Sequence, residues 1–211
     1  MHKVRFRYSK EGKAKYISHL DLMSTMQRSF RRAGIGLKYS EGFNPHPYMS
    51  VALPLSVGCE SLCELIDVAL VENIIPDINT IMLPDGIEIL EAYSPSRKFN
   101  DITWIDACIK LNYDNQTADG TVSKIEKCLK KDKLIISKKT KRGYKELDIA
   151  PFIKDVVLEE NEHILINAKI SAQNPTINAD DLIYVFNDEL KPDHIVMTRV
   201  GIYDISMIEF K

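Results

Sequence analysis

The 211-residue sequence has few cysteines and no long apolar run. Its four cysteines, Cys59, Cys63, Cys108 and Cys128, are too scattered for a disulfide scaffold, which favours free thiols in a reducing compartment. No apolar segment approaches the ~18 residues that a membrane-spanning helix needs. The first ten residues, MHKVRFRYSK, alternate charged and apolar side chains and do not have the pattern of a signal peptide. We therefore expect a cytoplasmic protein.

The motifs of readily recognised cofactor and metal enzymes are also missing from the sequence. It has no phosphate-binding loop, no dinucleotide-binding fingerprint and no zinc-protease helix motif. A three-cysteine iron–sulfur motif is incomplete, because Ile66 stands where a third cysteine would have to follow Cys59 and Cys63. We therefore expect neither a metal nor a cofactor.

Charge is strongly segregated along the chain, although the net charge is only −2. Residues 1–50 hold 10 Lys and Arg against 3 Asp and Glu, whereas residues 51–100 hold 2 against 8. This asymmetry favours a local basic surface in the N-terminal part over a protein that binds anions everywhere. The alternative interpretation is that both charge runs are solvated faces.

Periodicity in the first half predicts strands around one strong helix. Val4, Phe6 and Tyr8 alternate with basic residues, which is typical of a strand with one apolar face. Ser18 is a good N-cap with an acidic residue three positions later, and Gly34 is a natural helix terminator. Further strands are predicted at 36–40, 48–54, 63–71 and 87–93, with a short helix at 77–82.

The second half shows the same succession of patterns. It predicts a strand at 103–111, a helix with Val122, Ile125 and Leu129 inward, a hairpin over 134–149, a strand at 163–170, a helix capped by Asn178 and a last strand within 195–207. The fold class is therefore α+β, with two tandem ferredoxin-like units of order β-α-β-β-α-β. The domains are residues 1–97 and 98–211, and residues 94–102 are predicted to form the linker.

A split β-α-β sheet leaves one face open, and the basic residues of the first strand have the parity of that face. Arg5 and Arg7 would point away from the helix, as would Trp104, Lys110 and Lys169 in the second unit. Open sheets with basic and aromatic side chains bind single-stranded RNA by stacking and by phosphate contacts. Packing of domains or subunits across the same faces is the alternative.

The first helix carries a second candidate site for anions. Arg28, Arg31 and Arg32 are neighbours at helical spacing and could contact adjacent phosphates, with Lys38 just beyond. The alternative is that Arg28 or Arg32 pairs with an acidic residue of the 60–91 stretch and only fixes packing.

The loop at residues 40–47 has little conformational freedom. Pro45 and Pro47 fix their own φ angles, and Gly42 permits a positive φ, so Phe43 and His46 should be displayed in a defined direction. We favour a role in recognition over a purely structural turn.

Three short runs carry a resemblance to a known family: SHLD at 18–21, RRA at 31–33 and YSEGFNPHP at 39–47. With these runs the chain resembles the radical-SAM-associated, or radical-SAM-linked, bacterial domain of unknown function. The resemblance weakens after about residue 98, with a fainter echo at 148–151. It implies a radical SAM protein as partner, and it names no reaction.

His19 invites a catalytic alternative. It lies in the first turn of the helix, and at the level of fold the predicted layout resembles the CRISPR RNA-processing proteins. A metal-independent ribonuclease could draw on His19, His46, Tyr16 and Arg32 as acid–base and cationic groups. Our interpretation is instead a non-catalytic accessory domain that binds RNA or a ribonucleoprotein, and a protein-docking module without nucleic acid is the other alternative.

Overall fold

The computed structural model describes residues 2–113, 120–140 and 143–211, apart from the side chains of 139–140 and 187–189. The chain divides into two compact units, Met1–Asp101 with Phe210–Lys211, and Ile102–Glu209. Each unit combines antiparallel strands with α-helix, and the described residues contain three α-helices in all. The α+β class that the sequence predicts is confirmed.

Unit 1 places one long helix on a small antiparallel sheet. Its elements are β1 (Lys3–Lys10), α1 (His19–Arg32), β2 (Met49–Val51), β3 (Glu60–Ala69) and β4 (Ile87–Tyr93), with short 3₁₀ turns at Gly12–Tyr16, Ile78–Thr80 and Phe99–Asp101. The strand order is β4-β1-β3-β2, and every neighbouring pair is antiparallel.

Helix α1 begins and ends as the sequence predicts. The Ser18 hydroxyl accepts the Asp21 backbone N–H at 3.2 Å, which satisfies one of the unpaired amides of the first turn. Gly34 follows the last turn with φ at +76°. The buried face of α1 packs on β1, where the rings of Phe6 and Phe30 lie 4.8 Å apart.

Three predicted elements of unit 1 are shorter than expected. The predicted strand at 48–54 covers only Met49–Val51. The predicted strand at 36–40 is reduced to two isolated bridges, Leu37 with Leu70 and Tyr39 with Pro47. The predicted helix at 77–82 is only the 3₁₀ turn Ile78–Thr80. Its sequence has little helix propensity, because β-branched residues dominate and prolines stand close on both sides.

The segment predicted as a linker packs on unit 1. The Arg97 guanidinium lies 4.3 Å from the ring centre of Phe210, and the Arg5 guanidinium lies 4.4 Å from that of Phe99. Both arginines therefore tie this segment and the C-terminal residues to β1 through cation–π contacts.

Unit 2 has a four-stranded sheet and a separate hairpin. Its elements are β5 (Trp104–Asn112), α2 (Thr121–Leu129), β6 (Ile135–Thr140), β7 (Gly143–Asp148), β8 (Ile153–Glu160), β9 (Ile164–Ser171), α3 (Ala179–Leu190) and β10 (His194–Tyr203). The sheet order is β10-β5-β9-β8, antiparallel throughout, and among the described residues β6 pairs with β7 alone.

Alternation along β5 and β9 is as the sequence predicts. Ile105, Ile109 and Ile166 are buried on one face, and the residues that alternate with them, Asp106, Cys108 and Asn167, are half-buried. Strand β8 is the element that the sequence did not predict. Its pairing with β9 is interrupted by an irregularity between Lys154 and Val157, so its side chains do not alternate regularly.

Candidate nucleic-acid interface

Two arginines on the exposed face of α1 are available to a ligand. Arg28 and Arg31 are both exposed, and as residues three apart on a helix they are surface neighbours. Within the described part of the chain, neither guanidinium has a hydrogen-bond or ion-pair partner. Their charges are therefore not neutralised by the fold.

A hydrogen bond links this arginine face to the proline-framed loop. Gln27 Nε2 donates to the Tyr39 hydroxyl at 3.2 Å. Arg31 and Tyr39 also line one open groove, whose other walls are residues 34–37. The arginine face and the base of the loop therefore form one continuous surface.

The loop itself is closed by backbone hydrogen bonds. The Ser40 N–H donates to the His46 carbonyl at 2.8 Å, and the His46 N–H donates to the Ser40 hydroxyl oxygen at 3.0 Å. Gly42 has φ at +114°, which a residue with a Cβ rarely adopts. Phe43 stands at the tip, where its ring is fully exposed and contacts no core. The loop thus displays an aromatic ring to solvent.

The other predicted residues of this surface have mixed placements. His46 is exposed on the loop, and Lys38 is half-buried at its base. Arg32 is committed to the fold, because its Nη2 donates to the Ser29 hydroxyl at 3.0 Å and to the Met82 carbonyl at 3.1 Å. The packing alternative for Arg32 therefore holds in part, although its partners are neutral oxygens and not a carboxylate.

Arg5 does not belong to a binding surface, and the expectation that it faces an open sheet is wrong. Its side chain has no solvent-exposed area. Its guanidinium donates to both carboxylate oxygens of Asp67, at 2.7 and 3.0 Å, and to the Arg97 carbonyl at 2.9 Å. The ring of Phe99 covers it. Arg5 holds together the face of the sheet that the sequence predicted to be open.

Arg7, which has the same parity in β1 as Arg5, is partly paired within the sheet. It is half-buried, and its Nη1 lies 3.7 Å from a carboxylate oxygen of Glu91 on the neighbouring strand β4. A partly exposed ion pair of this length is weak, so it offsets the charge of Arg7 only in part.

The predicted stacking platform of unit 2 is covered in the same way. Trp104 is only 8% exposed, and the Lys154 ammonium lies 4.1 Å from its ring centre. Lys169 forms an ion pair with Asp106 at 2.9 Å. Lys110 is half-buried on this face. Near Trp104, the lysines of this face therefore already have partners within unit 2.

A buried lysine that sequence reasoning missed positions the start of α1. The Lys10 ammonium donates to the carbonyls of Lys15 and Ile17, each at 3.3 Å. Burial lowers the pKa of Lys10, while the Glu64 and Cys59 charges act in the opposite direction. Its position in β1, two residues after the buried Tyr8, was the available signal. Lys10 thereby fixes the turn that leads to His19.

Most of the chain, including α1 and the proline-framed loop, matches one family of bacterial proteins. Residues 3–179 match the profile of DUF2344, whose description is an uncharacterized protein conserved in bacteria. The chain belongs to the DUF2344 family. The match includes β1, α1, the proline-framed loop and most of unit 2.

For this DUF2344 chain, the comparison with curated proteins and the comparison with solved structures have different outcomes. No curated protein matches it. A structure titled "Crystal Structure of a Cbf5-Nop10-Gar1 Complex" aligns with a TM-score of 0.48 and 10% identity, over 93% of this chain and 47% of that one. The chain thus spans about half of the length of the chain that it matches there.

The three residues predicted as acid–base candidates in the DUF2344 chain are exposed, and the structure shows no hydrogen bond between them in its described part. His19 is exposed at the first residue of α1, and Tyr16 is exposed beside the Lys15 ammonium, 5.6 Å from its ring centre. In the described residues no hydrogen bond joins His19, His46 and Tyr16 to one another.

The described residues of this DUF2344 chain contain no group of three or more His, Cys, Asp or Glu side chains placed to hold a metal ion. Cys59 and Cys63 are buried free thiols. None of the described helices is long and apolar enough to span a membrane.

Proposed function

We propose that this chain binds RNA, alone or in a ribonucleoprotein, as a non-catalytic accessory domain. The observation that carries the proposal is the joined surface of Arg31 and Tyr39, which line one groove while Gln27 holds the Tyr39 hydroxyl. The guanidinium groups of Arg28 and Arg31, which have no partner among the described residues, and the exposed Phe43 ring add to this surface. It combines the two components that single-stranded RNA requires.

Each component matches a different part of the polynucleotide. A guanidinium group can bind a phosphate through two parallel hydrogen bonds, and the pair Arg28 and Arg31 could hold neighbouring phosphates. An exposed aromatic ring stacks on a base of any sequence, with a contribution of about 1–3 kcal/mol. The closed loop reduces the entropy lost on binding, because Phe43 is presented by a backbone that is already ordered.

We further propose that both units are variants of the ferredoxin-like fold. The strand orders β4-β1-β3-β2 and β10-β5-β9-β8, each antiparallel, support this assignment. In unit 1 the second helix is replaced by the 3₁₀ turn Ile78–Thr80, and in unit 2 the β6–β7 hairpin is inserted after α2.

The partner in this proposal is a radical SAM enzyme, to which the accessory domain would present its bound RNA. The support for this partner is the resemblance carried by the SHLD, RRA and YSEGFNPHP runs, two of which lie on the proposed surface. Size-exclusion chromatography of the purified pair would show a joint peak. Separate elution of the two proteins at micromolar concentration, with and without RNA, would contradict the partnership.

The experiment for RNA binding is fluorescence anisotropy with a labelled 20-nucleotide poly(U), measured over a range of salt concentrations. The variant R28A/R31A should bind more weakly, and its log–log salt slope should be shallower by roughly 0.7 for each lost phosphate contact. The control K3A/K98A removes the same formal charge from exposed positions away from α1. An equal loss in both double variants would show non-specific attraction, and no loss in R28A/R31A would exclude this surface.

The same RNA also tests the proposal that the protein does not cleave the RNA that it binds. After incubation with the wild-type protein in the presence of a chelator, we expect the RNA to remain intact. Specific fragments that disappear with His19→Ala, while binding is retained, would establish the ribonuclease alternative.

A further inference from the structure

A lysine-rimmed groove runs between α2 and α3 in unit 2. Two adjoining hollows, of about 90 and 260 Å³, share Cys128, Lys131 and Val185 in their walls. The Cys128 thiol donates to the Val185 carbonyl at 3.7 Å, so the two helices meet along the line between the hollows.

The floor of the groove is apolar and partly open to water. Ile125 and Phe186 lie beneath the smaller hollow, and Ile135 and Tyr184 border the larger one. Tyr184 is 63% exposed and Ile135 is 45% exposed. Apolar surface left in solvent beside a groove is typical of an interaction site.

The side chains that the structure describes at the rim are basic. Lys124, Lys131 and Lys133 line the hollows, and all three are exposed. In the part of the chain that the structure describes, none of their ammonium groups has an ion-pair partner. Residues 120–134 hold five lysines against one Glu and one Asp, so the α2 side of the rim belongs to a basic segment.

The size of the hollows limits what could fill them. Pockets for small molecules and cofactors are typically about 300–1,000 Å³, and each hollow here is smaller. Hollows of this size accommodate single side chains. Because they adjoin along the helices, an elongated ligand could place successive side chains in both.

We propose that this groove docks an acidic, amphipathic helical segment of a partner protein. Apolar side chains of such a segment would fill the hollows, and its carboxylates would meet the lysines of the rim. A nucleic acid could pair its phosphates with the lysines but would leave the apolar floor without a partner. The proposed groove uses none of the residues of the proposed RNA surface, and the proposal does not depend on that surface.

The test uses a phage-displayed library of random 16-residue peptides selected on the full-length protein. Enriched peptides should contain Asp or Glu together with apolar residues spaced three and four apart. An enriched set without excess acidic residues relative to the starting library would overturn the proposal.

One enriched peptide, synthesised with a fluorophore, then reports on the groove by anisotropy. K124E/K131E should weaken its binding at least tenfold, and Tyr184→Ala should weaken it several-fold. K127E/K130E is the matched control for charge, since Lys127 and Lys130 are exposed but line neither hollow. If K127E/K130E weakened peptide binding as much as K124E/K131E, the attraction would be non-specific, and the proposal would be overturned.

Binding of labelled poly(U) to the same variants tests whether the groove binds nucleic acid instead of a peptide. The variant K127E/K130E has the same change in formal charge as K124E/K131E. We expect the poly(U) affinities of these two variants to agree within threefold. A loss of poly(U) binding specific to K124E/K131E, with no effect of Tyr184→Ala on either ligand, would assign the groove to nucleic acid. Circular dichroism of each variant verifies that it is folded.

Discussion

The Arg5 guanidinium donates to both carboxylate oxygens of Asp67, from Nε at 2.7 Å and from Nη2 at 3.0 Å. The pair joins β1 to β3 beneath the rings of Phe99 and Phe210, so it lies in the interior of unit 1. Arg5 of β1 therefore stabilises the fold. Arg28 and Arg31 of α1, in contrast, are exposed and have no ion-pair partner among the described residues.

Asp67→Ala should destabilise the protein strongly. It leaves the buried Arg5 charge without its carboxylate, which typically costs about 3–5 kcal/mol. Arg7→Met should cost only about 0–1 kcal/mol, because its pair with Glu91 is longer and partly exposed. Urea unfolding followed by circular dichroism measures both. Similar stabilities of the two variants would contradict the assigned roles.

Phe43→Ala should separate binding from stability. The ring contacts no core, so the free energy of unfolding should change by less than about 0.5 kcal/mol, whereas RNA binding should weaken by about 1–3 kcal/mol if the ring stacks on a base. Phe30→Ala is the contrasting variant, because Phe30 is fully buried and its truncation should cost about 3–5 kcal/mol of stability. Unchanged poly(U) affinity of Phe43→Ala would remove the loop tip from the interface.

Gln27 and Tyr39 should act on RNA binding as one unit. Gln27→Leu and Tyr39→Phe each remove the hydrogen bond that aligns the loop with α1, and each should weaken binding by about 0.5–1.5 kcal/mol, the net value of one hydrogen bond. The double variant should lose no more than either single one. Fully additive losses in this double-mutant cycle would show that the two side chains contact RNA independently.

Lys10 should give a distinctive pH dependence of stability. Burial lowers its pKa in the folded protein, so the unfolded chain binds more protons between that lowered pKa and the ordinary lysine value of about 10.4. The penalty for burying the charge is complete below this window and is relieved as pH rises through it. Relative to Lys10→Met, the wild type should therefore gain stability as pH increases toward about 10.4.

Chemical unfolding of both proteins at several alkaline pH values measures this difference. The comparison cancels the titration of tyrosines and other lysines that both proteins share. A wild type that loses stability relative to Lys10→Met over the same window would mean that the Glu64 charge outweighs burial at this site.

Local patterns determined much of this protein without the structure. The Ser18 cap, the Gly34 terminator and the alternation in β5 each depend on neighbouring residues, so the sequence was sufficient to predict them. The exposure of Arg28, Arg31 and Phe43 followed from the same kind of information, because helical spacing and proline-framed turns fix side-chain directions locally.

Tertiary structure alone decided what lies opposite each predicted face. Alternation placed Arg5 correctly on the side away from α1, but it carried no information that Phe99 and Phe210 would cover that side. Asp67 is 62 residues from Arg5 in the sequence, and its pairing depends on the register of β1 with β3. The periodicity of a strand fixes which way a side chain points, whereas only long-range packing determines whether it meets water, a ring or a carboxylate.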